Sequence, residues 1–486
     1  MPKNRSEIGF SGTRLLARAM PGDASKARTE RMGVIFSYLR SFLPGAFPRM
    51  ARRSYTLESI TTICFSATLG IVEGGVISNI AKRRFENAVA AEELNFYVAL
   101  LFAAPDLANI LSFFWSGLSH GRAKIPLINL LQLAVILLIA VMALTPVSLA
   151  GLTAMVCLVV LARVCWSGII TLRPTVWRSN YPATMRATAV GNFQTMQYVM
   201  AGIVGVIVGS VLNQQPAMFA PLVIAVSACG FGAFFATRKQ RVRRERRMRK
   251  AEFNAAPVLK PWEGPLIVWK VLRKDSAWAR FMLWMFVLGL GNMLMGPILT
   301  IVLRDQFNLG YLRSILITSS ITALVMPLSI PLWARYLDRS HVVRFRARQT
   351  WVFVVSASIA CLGVLFHRVE LLYLTAALQG VAYGGGTLAW NLGHVDFAPP
   401  THTSQYMASH VTLNGLRGLL APFLAVGLYN AAVALGFSFA GIEINATAAS
   451  MVLALSAVMC AIGALGFRRL LTHMGDRATL GKARSA

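Results

Sequence analysis

Apolar stretches long enough for a helix to cross a hydrocarbon core about 30 Å thick recur twelve times along this chain. They lie at about 55–80, 94–118, 126–146, 148–172, 189–213, 217–237, 277–303, 312–334, 349–367, 371–394, 406–430 and 447–467. In lipid every backbone polar group must be satisfied internally, so such segments fold as helices. The expected fold class is an all-α integral membrane protein with twelve transmembrane helices. Hydrophobic residues make up 56% of the chain, charged residues 14%, and mean hydropathy is +0.58, far from the balance of a soluble domain.

The net charge of +29 would suit a polyanionic partner if it lay on a folded polar surface with interleaved aromatics. Here the cations sit between apolar stretches. Arg238, Lys239, Arg241, Arg243, Arg244, Arg246, Arg247, Arg249 and Lys250, opposed only by Glu245, divide the chain near its middle. Each would cost roughly 2.5–3.5 kcal/mol at the bilayer centre, which places the run on the cytoplasmic side. Counting outward puts 40 of the 48 Lys and Arg residues on that side and 6 outside, in accord with the positive-inside rule. The charge therefore reports orientation, and no nucleic-acid partner is expected.

An even number of crossings gives a multi-pass protein of the plasma (inner) membrane with both termini cytoplasmic. The expected organisation is a basic tail over 1–54, a six-helix bundle over 55–237, a basic linker over 238–276, a second bundle over 277–470 and a tail over 471–486. Within the first tail, Met32 to Met50 suits either a short helix on the inner leaflet or a disordered leader. The basic first thirty residues hold no apolar core of signal-peptide length, so the first span is expected to direct its own insertion. Cys64, Cys157, Cys165, Cys229, Cys361 and Cys460 all fall in apolar stretches without a CxxC pair, and read as small hydrophobes.

The two halves resemble copies. An offset of 217 lays Gly168 on Gly385, Pro182 on Pro399, Thr195 on Thr412 and Gln197 on Asn414; an offset of 218 lays Trp115 on Trp333. Parallel repeats of this kind place a binding site at their interface near the membrane midplane.

Six plus six helices joined by a basic loop resemble the major facilitator superfamily over about residues 55–470. The family carries a Gly-x-x-x-Asp-Arg-x-x-x-x-Arg signature after its second and eighth helices. Ala334-Arg335-Tyr336-Leu337-Asp338-Arg339, continuing to Arg344 and Arg346, resembles the second copy. The first, His120-Gly121-Arg122-Ala123-Lys124, keeps the basic end but lacks the acidic residue. Asp338, Arg339 and Arg344 are thereby implied as a conformational latch, made in one state and released in another; the alternative is a set of topology determinants. Arg163 to Gly168 resembles the arginine and glycine turn of the family's fourth helix. The nearest thing to the antiporter Gly-Pro motif, Gly418 to Gly427 around Pro422, falls in the eleventh span rather than the fifth, so antiport is not supported, and symport is the mode expected.

Charges inside spans are costly and must find partners. Arg163, near mid-span, needs a carboxylate, carbonyls or water. Asp106, close to the centre of the second span with Asn109 about one turn on, is the candidate protonatable carboxylate. Glu73, in Gly70-Ile71-Val72-Glu73-Gly74-Gly75, and Arg417, in the eleventh span, complete a set assigned to substrate or proton handling. A permanent ion pair without transport role is the alternative for each. Glu58 reads as interfacial.

Trp166, Gln194, Gln197, Tyr198, Asn292, Tyr383, Trp390, Asn391 and Asn414 are expected to line the cavity, where aromatic faces and amides suit a small organic solute; packing between helices is the competing role. The glycines of Tyr383-Gly384-Gly385-Gly386, and Gly202, Gly205 and Gly209, suit close helix contact. His394, Asp396, His402 and His410 have no recognised metal-ligand spacing, and Asn445-Ala446-Thr447 matches a glycosylation sequon. No ATP-binding or hydrolytic motif occurs, so neither enzymatic activity nor a cofactor is expected. The function expected is secondary active transport of a small solute by a monomer in the bilayer, with H+ as the candidate coupling ion. The alternative is a non-transporting sensor or scaffold on the same fold.

Overall fold

The computed structural model describes residues 38, 40–254, 264–399, 403–436, 438 and 443–475. Most of the expected N-terminal tail, residues 255–263 of the linker, His402 and the chain from 476 onward, including Arg477, lie outside the described residues. The chain divides into compact units at Arg53 and Ser54. In the first, a 3-10 turn spans Pro44–Ala46, and Arg52 Nε donates to the Phe47 carbonyl at 2.8 Å.

The larger unit is helical throughout its regular structure, with no strand among the described residues. Its helices are α1 (Arg49–Gly70, of which it holds the part from Ser54), α2 (Gly74–Arg84), α3 (Ala91–Ile110), α4 (Ser112–Ser119), α5 (Lys124–Met142), α6 (Leu149–Asn180), α7 (Ala183–Gln214) and α8 (Phe219–Arg238). The linker region supplies α9 (Glu245–Asn254) and α10 (Gly264–Lys274). Then follow α11 (Ser276–Asp305), α12 (Tyr311–Ile315), α13 (Ile321–Asp338), α14 (Val342–Leu365), α15 (Val369–Leu392), α16 (Thr403–Ala434) and α17 (Ile444–Met474).

Every expected span falls on helix, and ten helical segments among the described residues are long and apolar enough to cross a membrane. The second and tenth expected spans fall short by that measure. Glu92, Glu93 and Asp106 charge the helix that carries the former, which also breaks at Leu111, and Gln379, Tyr383 and the glycine run dilute the latter. Several expected boundaries shift. The first span is interrupted between Gly70 and Gly74, the fourth runs on to Asn180, and a π turn at Leu316–Ser320 joins α12 to α13.

Asp275 begins α11 by accepting from the Ala277 and Trp278 amides at 3.0 and 2.9 Å, satisfying donors that a helix start leaves open. One buried apolar cluster draws on residues 65–242 with Tyr311 and Ile315. Two others draw on residues from 271 onward, one of them with Val98 and Ala99. The packing that joins the chain before the linker to the chain after it is chiefly α3 on α16 and α7 on α12 and α13. Small residues make the second contact close: a Cβ on Gly205 would fall 2.3 Å from Ser320 Oγ.

Candidate functional site

The break between α1 and α2 builds the first part of the site. Gly70, Gly74 and Gly75 are poor helix formers, and the chain leaves helix at Ile71 and resumes after Glu73. The interruption leaves the Val72 carbonyl outside the α-helical hydrogen-bond ladder. Arg163 of α6 fills the gap, its Nη2 donating to Val72 O at 2.5 Å and to Glu73 Oε2 at 3.0 Å. Arg163 is 6% exposed, while the Glu73 side chain is 47% exposed. The arginine thus finds both a carboxylate and a carbonyl. Tyr198 of α7 lies in the field of Glu73 and beside the Thr387 side chain of α15.

Asp106 lies on α3 just after Pro105, where α3 meets α16. Asn414 Nδ2 donates to Asp106 Oδ1 at 3.0 Å, and Asn414 Oδ1 accepts from Arg417 Nη2 at 2.6 Å. Arg417 Nη1 also donates to the Met285 carbonyl of α11. Two glycines make room for this chain: a Cβ on Gly418 would fall 2.1 Å from the Asp106 carboxylate, and one on Gly289 would fall 2.1 Å from Arg417 Nη1. Asp106 is within electrostatic reach of both Arg417 and Arg163. Of the four ionisable residues singled out in the sequence, Glu73 is paired with Arg163, and Asp106 is bonded through Asn414 to Arg417. Asn414, expected as cavity lining, is the bridge between Asp106 and Arg417.

A cavity of about 210 Å³ is lined by Asp106, by the polar Asn292, Gln379 and Tyr383, and by the apolar Phe102 and Leu299. Asn292 Nδ2 donates to the Tyr383 hydroxyl at 2.7 Å. Gln379 and the hydroxyls of Thr318, Thr322 and Thr375 were not singled out by sequence. Gln379 stands four residues before Tyr383, on the same helix face, and that spacing is the signal that could have found it.

Other residues expected to line the cavity lie elsewhere. Trp166 is buried against Phe65, ring centroids 5.5 Å apart. Trp390 stands 5.6 Å from the His410 ring. Asn391 is exposed and donates to the Thr387 carbonyl at 2.8 Å. Gln194 and Gln197 are half-buried on α7 and do not line this cavity. Among the described residues no group of three His, Cys, Asp or Glu side chains converges to hold a metal ion; Asp396 accepts from the Val342 amide at 2.8 Å.

The remaining charges sort by location. Glu58, read as interfacial, is 4% exposed and accepts from Arg173, Trp177 and Gln240. Asp338 and Arg339 are exposed and Arg344 is half-buried; none of the three is in an ion pair among the described residues. Arg346 is buried, donating to Gln349 Oε1 at 2.9 Å and to the Gly386 carbonyl. Ion pairs between the regions before and after the linker occur instead at the end of α2 and α11. Lys82 meets Asp305 at 2.9 Å, and Arg304 takes both Glu86 oxygens, one at 2.7 Å.

The sequence profile of the Major Facilitator Superfamily matches residues 34–422. No curated protein sequence matches the chain. Among solved structures, a D-xylose-proton symporter aligns with TM-score 0.65 at 13% identity, covering 88% of this chain and 99% of that one. The nucleoside transporter NupG aligns with TM-score 0.60 at 11% identity over 87% and 100% of the two chains. A bacterial homolog to the human lysosomal transporter Spinster, in an inward-facing and occupied conformation, aligns with TM-score 0.60 at 14% identity over 86% and 96%. At these identities the likeness is one of fold. With most of its length inside the family profile and its helices in the family's arrangement, the chain belongs to the major facilitator superfamily and is a multi-pass membrane transporter.

Proposed function

We propose that this protein is a secondary active transporter that moves a small solute by alternating access, with H+ coupling centred on Asp106. In this reading twelve helices cross the plasma (inner) membrane as two related six-helix bundles, both termini are cytoplasmic, and the monomer is the working unit. The observation that carries the proposal is the position of Asp106. Its carboxylate borders the cavity, sits where α3 packs on α16, and is bonded through Asn414 to Arg417. A proton gained or lost there changes the charge balance with Arg417 and Arg163 at a contact between the two bundles, so protonation and helix rearrangement act on the same bonds. The Arg163–Glu73 pair stands at the break in the first span, the kind of discontinuity that transporters place at their sites.

The test uses the purified protein in proteoliposomes, with a solute found by thermal-shift screening. Accumulation that collapses on adding a proton ionophore supports coupling; unaffected accumulation removes it. Asp106→Asn is expected to abolish the pH dependence of flux while the protein stays folded. A pH profile identical to wild type would assign Asp106 to structure alone.

A further inference from the structure

The hydrogen-bond inventory of the cavity leaves buried acceptors open. The hydroxyl protons of its three threonines are already committed to main-chain carbonyls: Thr318 to Ser314 at 2.9 Å, Thr322 to Ala376 at 2.9 Å and Thr375 to Leu371 at 2.9 Å. The Asn292 amide nitrogen donates to the Tyr383 oxygen at 2.7 Å, and that of Gln379 faces Met295 Sδ at 3.8 Å. What remains is the second hydrogen of each amide and the Tyr383 hydroxyl proton as donors, with two carbonyl oxygens and a carboxylate as acceptors. Asn292 Oδ1 and Gln379 Oε1 have no hydrogen-bond partner, although their residues are only 8% and 5% exposed. Asp106 adds a carboxylate that accepts from Asn414 at Oδ1 and is also hydrogen-bonded by the Asn109 side chain. Buried carbonyl oxygens are rarely left unpaired, and orphaned acceptors beside a carboxylate call for a ligand that brings both N–H donors and positive charge.

The nearby cations do not reverse this preference. Arg417 is turned to Asn414 and Met285, and Arg163 to Val72 and Glu73; neither lines the cavity. The lining also includes the apolar side chains of Phe102, Met293, Leu299, Ile317 and Pro422. From this geometry we infer that the cavity binds a small amphipathic amine, its ammonium set among Asp106, Asn292 Oδ1 and Gln379 Oε1 and its hydrocarbon body against Phe102 and Leu299. The inference rests on the transporter reading above and names the chemical class of its solute.

The test measures binding to the purified, detergent-solubilised protein by calorimetry and thermal shift. The probes are primary amines from butylamine to 2-phenylethylamine, each with its matched alcohol and carboxylate. Amines are expected to bind and to raise the midpoint where alcohols and carboxylates do not. Asp106→Asn should remove the advantage of amine over alcohol, a loss of about tenfold or more for a charged hydrogen bond. Gln379→Met keeps the volume without the carbonyl oxygen; it should weaken amine binding severalfold while leaving the ligand-free midpoint near wild type, which guards against misfolding of the first variant. Alcohols or carboxylates binding as well as amines would overturn the inference and leave the transporter reading standing. Failure of all three panels would overturn it too, as would unchanged amine affinity in Gln379→Met, whereas the transporter reading fails only if no solute is moved in the flux assay.

Discussion

Glu58 and Glu73 each face an arginine of α6, and their surroundings give the two pairs different roles. Glu58 and Arg173 have side-chain exposures of 5% and 9% and stand 2.6 Å apart. Trp177 and Gln240 donate to the carboxylate, and Arg173 also reaches Thr62. Removing one charge from such a pair leaves the other buried without compensation. Glu58→Gln is therefore expected to destabilise the protein by about 3–5 kcal/mol, read as a lowered thermal unfolding midpoint. Glu73 is nearly half exposed, and screening discounts its pair with Arg163 to about 1 kcal/mol or less. Glu73→Gln should thus leave the midpoint nearly unchanged and slow solute flux. The reverse pattern, a stable Glu58 variant and an unfolded Glu73 variant, would exchange the roles assigned to them.

At the scale of the element, α9 brings a carboxylate to a loop that has none of its own. The loop from His120 to Lys124 keeps the basic end of the family signature without its carboxylate. The carboxylate comes from the linker: Glu252 Oε2 accepts from the Gly121 amide at 3.0 Å and from Lys124 Nζ at 2.8 Å. Gly121 holds φ +66° there, a conformation that glycine adopts without steric cost. Arg249 Nε returns a bond to the Gly121 carbonyl at 3.1 Å. Because Glu252 is 25% exposed, the pair contributes about 0.2–1 kcal/mol. Glu252→Gln is expected to speed tryptic cleavage within Arg246–Lys250 by up to about fivefold, since local opening governs such cutting. Unchanged cleavage would mean that α9 is held by other contacts.

For the whole molecule, the ion pairs between the regions before and after the linker lie where α2 and α11 end, while the signature residues Asp338 and Arg339 are exposed. Under the alternating access proposed above, Lys82–Asp305 and Glu86–Arg304 close one side and must part when it opens. Arg304→Glu should raise the reactivity of cysteines placed in the cavity toward membrane-impermeant thiol reagents added from that side. The exchange Glu86→Arg with Arg304→Glu should restore protection. If the exchange behaves like the single variant, the effect does not come from this pair.

The succession of helices was legible in the sequence because about twenty apolar residues in lipid have little alternative to helix. Asp106, Arg163 and Arg417 were legible for a related reason: a charge in an apolar span costs too much to be incidental. Glu252 was not, because a linker glutamate gains meaning only from what packs beside it. Trp166 shows the same limit from the other side, since an aromatic serves a cavity or a helix contact equally well, and only its neighbour Phe65 distinguishes them. Local composition thus determined which residues must find partners. The tertiary structure alone decided which partners they found, because Arg163 meets Glu73 across 90 positions and Asn414 meets Asp106 across 308, and no local pattern encodes contacts at that separation.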